Sequence, residues 1–271
     1  MQCLIINLDR SIDRMRHIED QFKDFKGKLT RVEGCDAAKY KSTELLALKD
    51  LSISYRDMIP AEIACFLSHR KCWEIAANSS DEFTAVFEDD VFLSKNALAL
   101  LEDVSWVPSD ASCVKLETLN QKVTVTRRKK TTLYGHNIHR LLSAHYGAGG
   151  YIISRDFAAE AFTKSAMVPC ISDEFLFGVE FLSRNRKHIY QVSPALCIQS
   201  RLLSDQNVFE TLIDDYTEWN SRTFDVKKIK RTLPQKIYRE ARRLKNNILN
   251  FHKTAYRSVT QKELFIEFHN S

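Results

Sequence analysis

Short apolar runs alternate with amphipathic stretches along the first 200 residues, a pattern typical of α/β proteins. Runs expected to be strands lie at residues 3–7, 29–32, 84–93, 112–117, 122–128, 150–154 and 188–192, the last of which we take as the final strand. Stretches with helical spacing lie at residues 11–22, 43–49, 60–75, 95–101 and 155–164. We therefore predict a mixed central sheet flanked by helices.

Three consecutive acids interrupt the apolar run at residues 84–93. Glu88, Asp89 and Asp90 would repel one another unless a cation or hydrogen-bond donors neutralise them. Side chains alternate along a strand, so Glu88 and Asp90 are expected to face one way and Asp89 the other. Two carboxylates at the end of a buried strand suit Mg²⁺ or Mn²⁺ and a diphosphate-bearing ligand. The alternative is a solvated acidic turn between two strands.

The N-terminal strand is followed by a turn and a helix, the order in which nucleotide-binding α/β domains begin. The turn follows Asn7, and Ser11 or Asp13 is expected to cap the helix. No Gly-x-Gly-x-x-Gly fingerprint is present. Arg10 and Arg14, near the helix start, could meet phosphates, although we expect at least one of the arginines in this stretch to lie on an exposed basic helix face instead.

Glycines cluster just before the strand at residues 150–154, at Gly147, Gly149 and Gly150. Such glycines permit close approach of the backbone to a ligand, and a hairpin turn explains them about as well. Farther along, Ser172 is predicted to cap a short helix. Asp173 or Glu174 would then lie in its first turn, where the helix dipole favours a carboxylate, with capping alone as the alternative.

The bulk composition is that of a globular protein with a basic tail. The chain has 271 residues, 44% of them hydrophobic, and its seven scattered cysteines favour reduced thiols over disulfides or a zinc site. We expect neither a signal peptide at the N-terminus nor a membrane-spanning segment. Residues 227–257 hold eleven Lys and Arg against the single acid Glu240, so a mildly acidic body precedes them.

The basic tail carries an apolar stripe with helical spacing. Ile237, Ala241, Leu244, Ile248 and Phe251 recur at intervals of four and three. We expect residues 1–225 to form one domain and residues 226–271 a basic amphipathic helical tail. Such a helix can lie on an anionic membrane. The alternatives are a helix docked on the core, a homodimer contact and nucleic-acid binding. Of these, we do not expect nucleic-acid binding.

The ordered motifs together resemble glycosyltransferase family 25, the lipopolysaccharide galactosyltransferase group. The resemblance covers roughly residues 1–205. The motifs are Ile6 to Arg10 with Arg14, Ala61 to His69 with Trp73, Phe87 to Asp90, Gly150 to Ser154, Ile171 to Asp173, and Pro194 with Gln199. The sequence departs from the family in having Ala64 in place of a glycine and Ile-Ser-Asp at 171–173 in place of Pro-Val-Asp.

The resemblance implies a GT-A-like, single nucleotide-sugar-binding domain and an inverting, metal-dependent reaction. A hexose, most often galactose, would pass from a UDP-sugar to a lipooligosaccharide hydroxyl. Glu88 and Asp90 would hold the Mn²⁺ or Mg²⁺, and Asp173, with Glu174 as the fallback, would act as the base. The residues expected around the nucleotide sugar are Asn7, Leu8, Asp9, Arg10, Arg14, Glu62, His69, Asp89, Gly149, Gly150 and Gln199.

Two other classes of function stay open at this point. The acids could serve a metal-dependent phosphodiesterase or nuclease, although such sites usually gather enough carboxylates or histidines for two metals. The tail could instead belong to a non-catalytic adaptor at a membrane surface. On the glycosyltransferase interpretation, we expect a cytoplasmic enzyme held peripherally on the inner membrane of a bacterium, where the tail meets anionic lipid near the acceptor.

Overall fold

The computed structural model describes residues 1–40, 58–129, 132–165, 170–178, 188–203 and 260–269. The helix predicted at residues 43–49 lies outside these ranges, as does residues 226–259 of the predicted tail. Among the described residues, no helix is long and apolar enough to span a bilayer.

The core of the fold is a mixed sheet of eight strands in the order β2-β1-β3-β10-β5-β11-β9-β8. Smaller sheets are formed by β4-β12-β6 and by β13-β7. The strands are β1 (Gln2–Asn7), β2 (Leu29–Glu33), β3 (Phe83–Glu88), β4 (Val91–Leu93), β5 (Cys113–Lys115), β6 (Glu117–Thr118), β7 (Lys122–Thr126), β8 (Thr132–Leu133), β9 (His136–Arg140), β10 (Gly150–Ser154), β11 (Ile189–Ser193), β12 (Cys197–Gln199) and β13 (Gln261–Phe265).

Strands β2, β1 and β3 are parallel, so their carboxyl ends meet at one edge of the sheet. Strand β10 is inserted antiparallel between β3 and β5 and brings Gly150 opposite Phe87. The residues just before β10 therefore lie at the same edge as the acids that end β3. This arrangement gathers several of the predicted site residues.

Five α-helices are described: α1 (Ile12–Gln21), α2 (Pro60–Ala77), α3 (Ala97–Glu102), α4 (Arg155–Ser165) and α5 (Ser172–Phe177). Two short 3-10 helices lie at Ala37–Lys39 and Ser200–Leu202. Helix α2 starts with Pro60, whose missing N–H costs nothing in the first turn. The Glu62 carboxylate accepts a hydrogen bond from the Ile59 N–H at 3.0 Å and so satisfies a backbone donor at the helix end.

The sheet separates two apolar layers, because neighbouring residues of β1 and β3 point to opposite faces. Leu4 and Val86 pack on the side of α2, α4 and α5, around the fully buried Trp73. Ile5 and Phe87 pack on the other side, with α1 and α3. The predicted α/β architecture, a mixed central sheet flanked by helices, is confirmed.

Three local predictions are wrong. Strand β11 is not the last strand, because β12 and β13 follow it. Ser172 is the first residue of α5, and Ile171 occupies the N-cap without a side-chain hydrogen bond. The helix predicted for the tail does not extend over residues 261–265, which form β13 and pair antiparallel with β7. The Ala195 N–H donates to the Glu267 carbonyl at 2.7 Å, so this end of the chain packs on the body of the fold.

Candidate active site

A cavity of about 630 Å³ opens at the carboxyl ends of β1, β2 and β3. Its size is that of a typical small-molecule pocket. All three acids of the cluster line it, together with Asp173 at the start of α5. We call this space the strand-end cavity, and we call Glu88, Asp89 and Asp90 the acidic cluster.

The alternation expected along the acidic cluster does not occur. Strand β3 ends at Glu88, and Asp89 and Asp90 form a turn, so the strand rule no longer sets their directions. The Asp89 carboxylate accepts hydrogen bonds from the Asn7 amide at 2.7 Å and from Arg14 at 3.1 Å. Burial raises the pKa of Asp89, and Arg14 and Asn7 oppose that rise.

Asp90 is the least neutralised member of the cluster. Its side chain is 11% exposed, and its Oδ2 lies 4.0 Å from the Arg14 guanidinium. Its Oδ1 has no hydrogen-bond partner in the described part of the chain. Burial, followed by the charge of Glu88, raises the pKa of Asp90 to about 7. A buried carboxylate oxygen without a donor, next to a second carboxylate, is an environment that favours a cation.

Glu88 is held by donors on both oxygens. Its Oε2 accepts from the Gln199 amide at 2.7 Å, and its Oε1 lies 3.2 Å from Nε2 of His69. Burial raises the pKa of Glu88, but its bonds to His69 and Gln199 outweigh burial and the net shift is downward. Glu88 is therefore ionised more readily than its neighbour Asp90.

A chain of hydrogen bonds orients His69. The Trp73 indole donates to the Tyr151 hydroxyl at 2.9 Å, and that hydroxyl lies 3.0 Å from Nδ1 of His69. Because an indole N–H only donates, we assign the Tyr151 proton to the bond with Nδ1. Nδ1 then accepts, and a proton on Nε2 points at Glu88.

Two groups of side chains could hold a metal ion. The ligand atoms of Cys65, His69 and Glu88 lie within 4.8 Å of one another, a set suited to a soft metal. The proton assigned to Nε2 of His69 and burial, which raises the Cys65 pKa, both disfavour metal binding there. Glu88 and Asp90 offer oxygen ligands and an unsatisfied oxygen, so a hard cation such as Mn²⁺ or Mg²⁺ fits them better.

The N-terminal motif divides between the cavity wall and its support. Leu8, Arg10 and Arg14 line the cavity, and Arg10 pairs with Asp36 at 2.8 Å. Asn7, which is only 2% exposed, orients Asp89 from behind. Asp9 lies outside the cavity lining, in surface ion pairs with Arg31 and Lys39 that lower its pKa.

The other predicted sugar-binding residues are similarly divided. Glu62 and Gln199 line the cavity, whereas His69 is fully buried behind Glu88. Tyr146, Gly147 and Ala148 line the cavity, and Gly149 and Gly150, which follow them in the chain, are not among its lining residues. A Cβ at Gly150 would lie 2.2 Å from the Cys197 sulfur, so packing against β12 explains that glycine.

Asp173 and Glu174 are placed differently. Asp173 lines the cavity, and its two oxygens accept from the N–H groups of Gly147 at 2.7 Å and Glu174 at 2.6 Å. Glu174 is not among the described cavity-lining residues. The geometry thus favours Asp173 over the fallback as a group that could reach a bound ligand.

Several cavity residues escaped the sequence prediction. Asp36, Cys65, Tyr146 and Arg201 all line the cavity. Asp36 shortly follows β2, so the rule that ligands bind beyond strand ends could have identified it. Cys65 precedes His69 by one helical turn and faces the same way. For Tyr146 and Arg201, no local pattern in the sequence distinguishes them from surface residues.

The sequence profile of glycosyltransferase family 25 (LPS biosynthesis protein) matches residues 1–176. Similar proteins include the lacto-N-neotetraose biosynthesis glycosyltransferase LgtE of Neisseria gonorrhoeae, which is 30% identical over 207 residues covering 73% of this chain and 74% of that protein. The lipooligosaccharide biosynthesis protein lic2B of Haemophilus influenzae is 29% identical over 214 residues, covering 75% of this chain and 78% of that protein.

Among solved structures, a glycosyltransferase involved in the glycosylation of the major capsid of PBCV-1 matches with a TM-score of 0.43 and 9% identity. The match covers 73% of this chain and 91% of that one, a likeness too distant to assign the role of any residue. The family profile and the relatives favour the glycosyltransferase interpretation over the phosphodiesterase and adaptor alternatives. By the length of the profile match, the chain belongs to glycosyltransferase family 25.

Proposed function

We propose that this protein transfers a hexose, galactose in the first instance, from a UDP-sugar to a lipooligosaccharide or lipopolysaccharide acceptor with inversion at the anomeric carbon. The observation that carries the proposal is one cavity with two different walls. The acidic cluster, in which Asp90 Oδ1 has no partner among the described residues, forms one wall, and the Asp173 carboxylate forms another. The association of the family with LPS biosynthesis and of the relative lic2B with lipooligosaccharide biosynthesis supports the acceptor class.

Inversion requires a single displacement. The acceptor hydroxyl oxygen attacks the anomeric carbon, the bond from that carbon to the UDP β-phosphate oxygen breaks, and the hydroxyl proton passes to a base. Asp173 suits the role of base because its carboxylate faces the cavity and is held by two backbone N–H donors. Donors on both oxygens fix its position before the acceptor arrives.

Glu88 and Asp90 would hold the divalent cation. When bound, that cation would neutralise the charge that develops on the departing diphosphate. The remaining residues of the cluster position these two ligands. Asn7 and Arg14 hold Asp89, while His69 and Gln199 fix the two oxygens of Glu88.

Arg10 and Asp36, which pair with each other in the cavity lining, are proposed to meet the nucleoside end of the donor. Both line the cavity at the ends of β1 and β2, where open α/β sheets bind ligands. Peripheral attachment to the cytoplasmic face of the inner membrane through the basic residues 227–257 remains part of the proposal. Homodimer formation through the same residues is the competing proposal for the tail.

A donor screen tests the function directly. Purified protein is incubated with a truncated lipooligosaccharide acceptor, one UDP-sugar at a time, with Mn²⁺ or with a chelator. We expect transfer from UDP-galactose in the presence of Mn²⁺, and a β-linked product by nuclear magnetic resonance, because UDP-galactose is α-linked. Transfer that survives the chelator would contradict the cation role, and failure with every UDP-sugar would contradict the function.

A further inference from the structure

The most completely buried ion pair among the described residues lies under the glycines that precede β10. Lys115 ends β5 and Glu117 begins β6, so two positions separate them along extended chain and they share a face. Their charged groups are 3.2 Å apart, and both side chains are 0% exposed. Burying two charges is costly unless further hydrogen bonds compensate for the lost water.

Those further bonds go to the glycine segment, residues 147–150. The Lys115 ammonium donates to the Gly147 carbonyl, and the Gly149 N–H donates to Glu117 Oε2 at 2.9 Å. The pair therefore holds the segment at two points, once by its cation and once by its anion. The fit leaves no room for a side chain: a Cβ on Gly147 would lie 2.7 Å from the Glu117 carboxylate, and Gly147 has φ +85°.

The same segment touches both walls of the strand-end cavity. The Gly147 N–H donates to Asp173 at 2.7 Å, and the Gly149 carbonyl accepts from the Glu88 N–H at 3.0 Å. The Lys115 ammonium also lies 4.6 Å from the centre of the Phe177 ring, at the far end of the helix that carries Asp173. Contacts from Lys115 thus close a ring through Gly147, Asp173 and α5.

From this ring of contacts we infer that Lys115 and Glu117 are positioning residues: they hold the glycine segment so that the Asp173 carboxylate stays at the acceptor side of the cavity. Neither side chain lines the cavity. They act through Gly147 and Asp173, and the inference rests on the proposed function for the role of Asp173. A displacement of a catalytic carboxylate by about 1 Å can lower the reaction rate by about 10²-fold.

The test removes both charges together, because removing one partner leaves the other buried and unpaired. The double variant Lys115→Met/Glu117→Gln keeps the side-chain volumes and leaves an amide oxygen for the Gly149 N–H. The matched control is Lys164→Met/Glu160→Gln, which makes the same substitutions at a partly exposed pair 2.8 Å apart on α4. Thermal melting first establishes that each variant is folded.

Two readouts follow on the folded variants. For the double variant we expect kcat for transfer to fall at least about tenfold while KM for the UDP-sugar stays within about twofold, because the donor contacts are untouched. We also expect amide exchange at Gly147 to rise at least about tenfold, with exchange at Ile152 in β10 unchanged. The control should match wild type in both.

The inference is overturned if the folded double variant keeps wild-type kcat, or if exchange at Gly147 does not change. It is also overturned if KM rises in step with the loss of kcat, because that result indicates a general distortion of the cavity. Should wild-type protein transfer no sugar at all, the proposed function fails by itself, and the exchange measurement still decides whether the pair supports the glycine segment. If the double variant does not fold, Glu117→Gln replaces it, because the glutamine amide oxygen can still accept from the Lys115 ammonium and from the Gly149 N–H, so Lys115 keeps a hydrogen-bond partner.

Discussion

Two groups of buried charge lie side by side at one edge of the sheet, and they are built in opposite ways. The Lys115 and Glu117 pair has one charge of each sign, complete burial and bonds to the backbone on both sides. The acidic cluster has three carboxylates, with Arg14 as the cation that contacts it among the described residues. The charges of the Lys115 and Glu117 pair nearly cancel, whereas the three carboxylates of the acidic cluster outnumber the charge of Arg14.

The difference separates support from ligand binding. In the pair, the Lys115 ammonium and the Gly149 N–H offset most of the Glu117 charge and can hold a loop in place, and Glu117 Oε1 is the oxygen left without a partner among the described residues. Three neighbouring carboxylates with one arginine carry an excess of negative charge beside the cavity. In the absence of a cation, that excess favours the protonated form of Asp90, whose pKa is raised. We infer that the charge imbalance, more than the number of acids, marks the binding site.

The substitution Asp90→Asn should have the largest effect on transfer, and wild-type activity in this variant would contradict a binding role for the acidic cluster. It removes a proposed cation ligand, so we expect transfer to fall by about 10²- to 10³-fold, equivalent to about 3–4 kcal/mol of barrier. The measurements are turnover under saturating UDP-sugar and a Mn²⁺ titration. The control is Asp13→Asn, at an 87% exposed side chain, which should leave both unchanged.

The same variant has a stability signature of opposite sign. The pKa of Asp90 is raised to about 7 in the fold, so between pH 4 and 7 the native state binds more protons than the unfolded chain. Wild-type stability contributed by this group therefore falls as pH rises through that window. Asp90→Asn should be more stable than wild type at pH 8 by on the order of 1 kcal/mol, and equal to it near pH 4. If Asp90→Asn were less stable than wild type at pH 8, that result would contradict an excess of negative charge around Asp90.

Asp173→Asn should have the next largest effect, because Asp173 lies where the two regions meet. Its amide oxygen can still accept from the Gly147 N–H, so that hydrogen bond is kept, while the base and the bond from the Glu174 N–H are lost. We expect transfer to fall by about 10²- to 10³-fold with UDP binding by calorimetry unchanged. Glu174→Gln is the matched control, since Glu174 is not among the described residues lining the cavity. The assignment reverses if Glu174→Gln loses transfer and Asp173→Asn does not.

The sequence predicted most of the sheet and the acidic wall of the site. Apolar runs identified β1, β3, β10 and β11, and the strand-end rule placed the acids beside Asn7, which hydrogen-bonds Asp89 in the fold. The prediction from the sequence was wrong where a strand ends within a continuous apolar run. The directions of Asp89 and Asp90 depend on β3 ending at Glu88, and the run of residues 84–93 gives no sign of that end.

The support under the glycine segment could not be predicted because it depends on the order of strands. Lys115 and Gly147 are 32 positions apart and meet only because β10 is inserted between β3 and β5. No periodicity in one sequence encodes such an insertion. Strand β12 escaped for another reason: it has three residues, Cys197–Gln199, too few to show a pattern.

The last prediction concerns acid stability and comes from the region around the Lys115 and Glu117 pair. His145 is fully buried, and its Nδ1 is bonded to the Gln191 amide oxygen at 2.7 Å. Burial, and then the charge of Lys115, lowers the pKa of His145 to about 3. Between pH 3 and 6.5, His145 therefore binds a proton in the unfolded chain but not in the native state. The free energy of unfolding decreases as pH falls through this window.

We expect His145→Asn to remove that loss, since asparagine does not titrate there and its amide N–H can replace the bond to Gln191. Relative to their values at pH 8, wild type should lose about 2 kcal/mol more than the variant at pH 5, measured by urea denaturation at both pH values. His188→Asn, at a partly exposed histidine, is the control. Acid should thus weaken the region around Lys115 while it relieves the acidic cluster. Equal pH slopes for wild type and His145→Asn would contradict the lowering of the His145 pKa by burial and by the charge of Lys115.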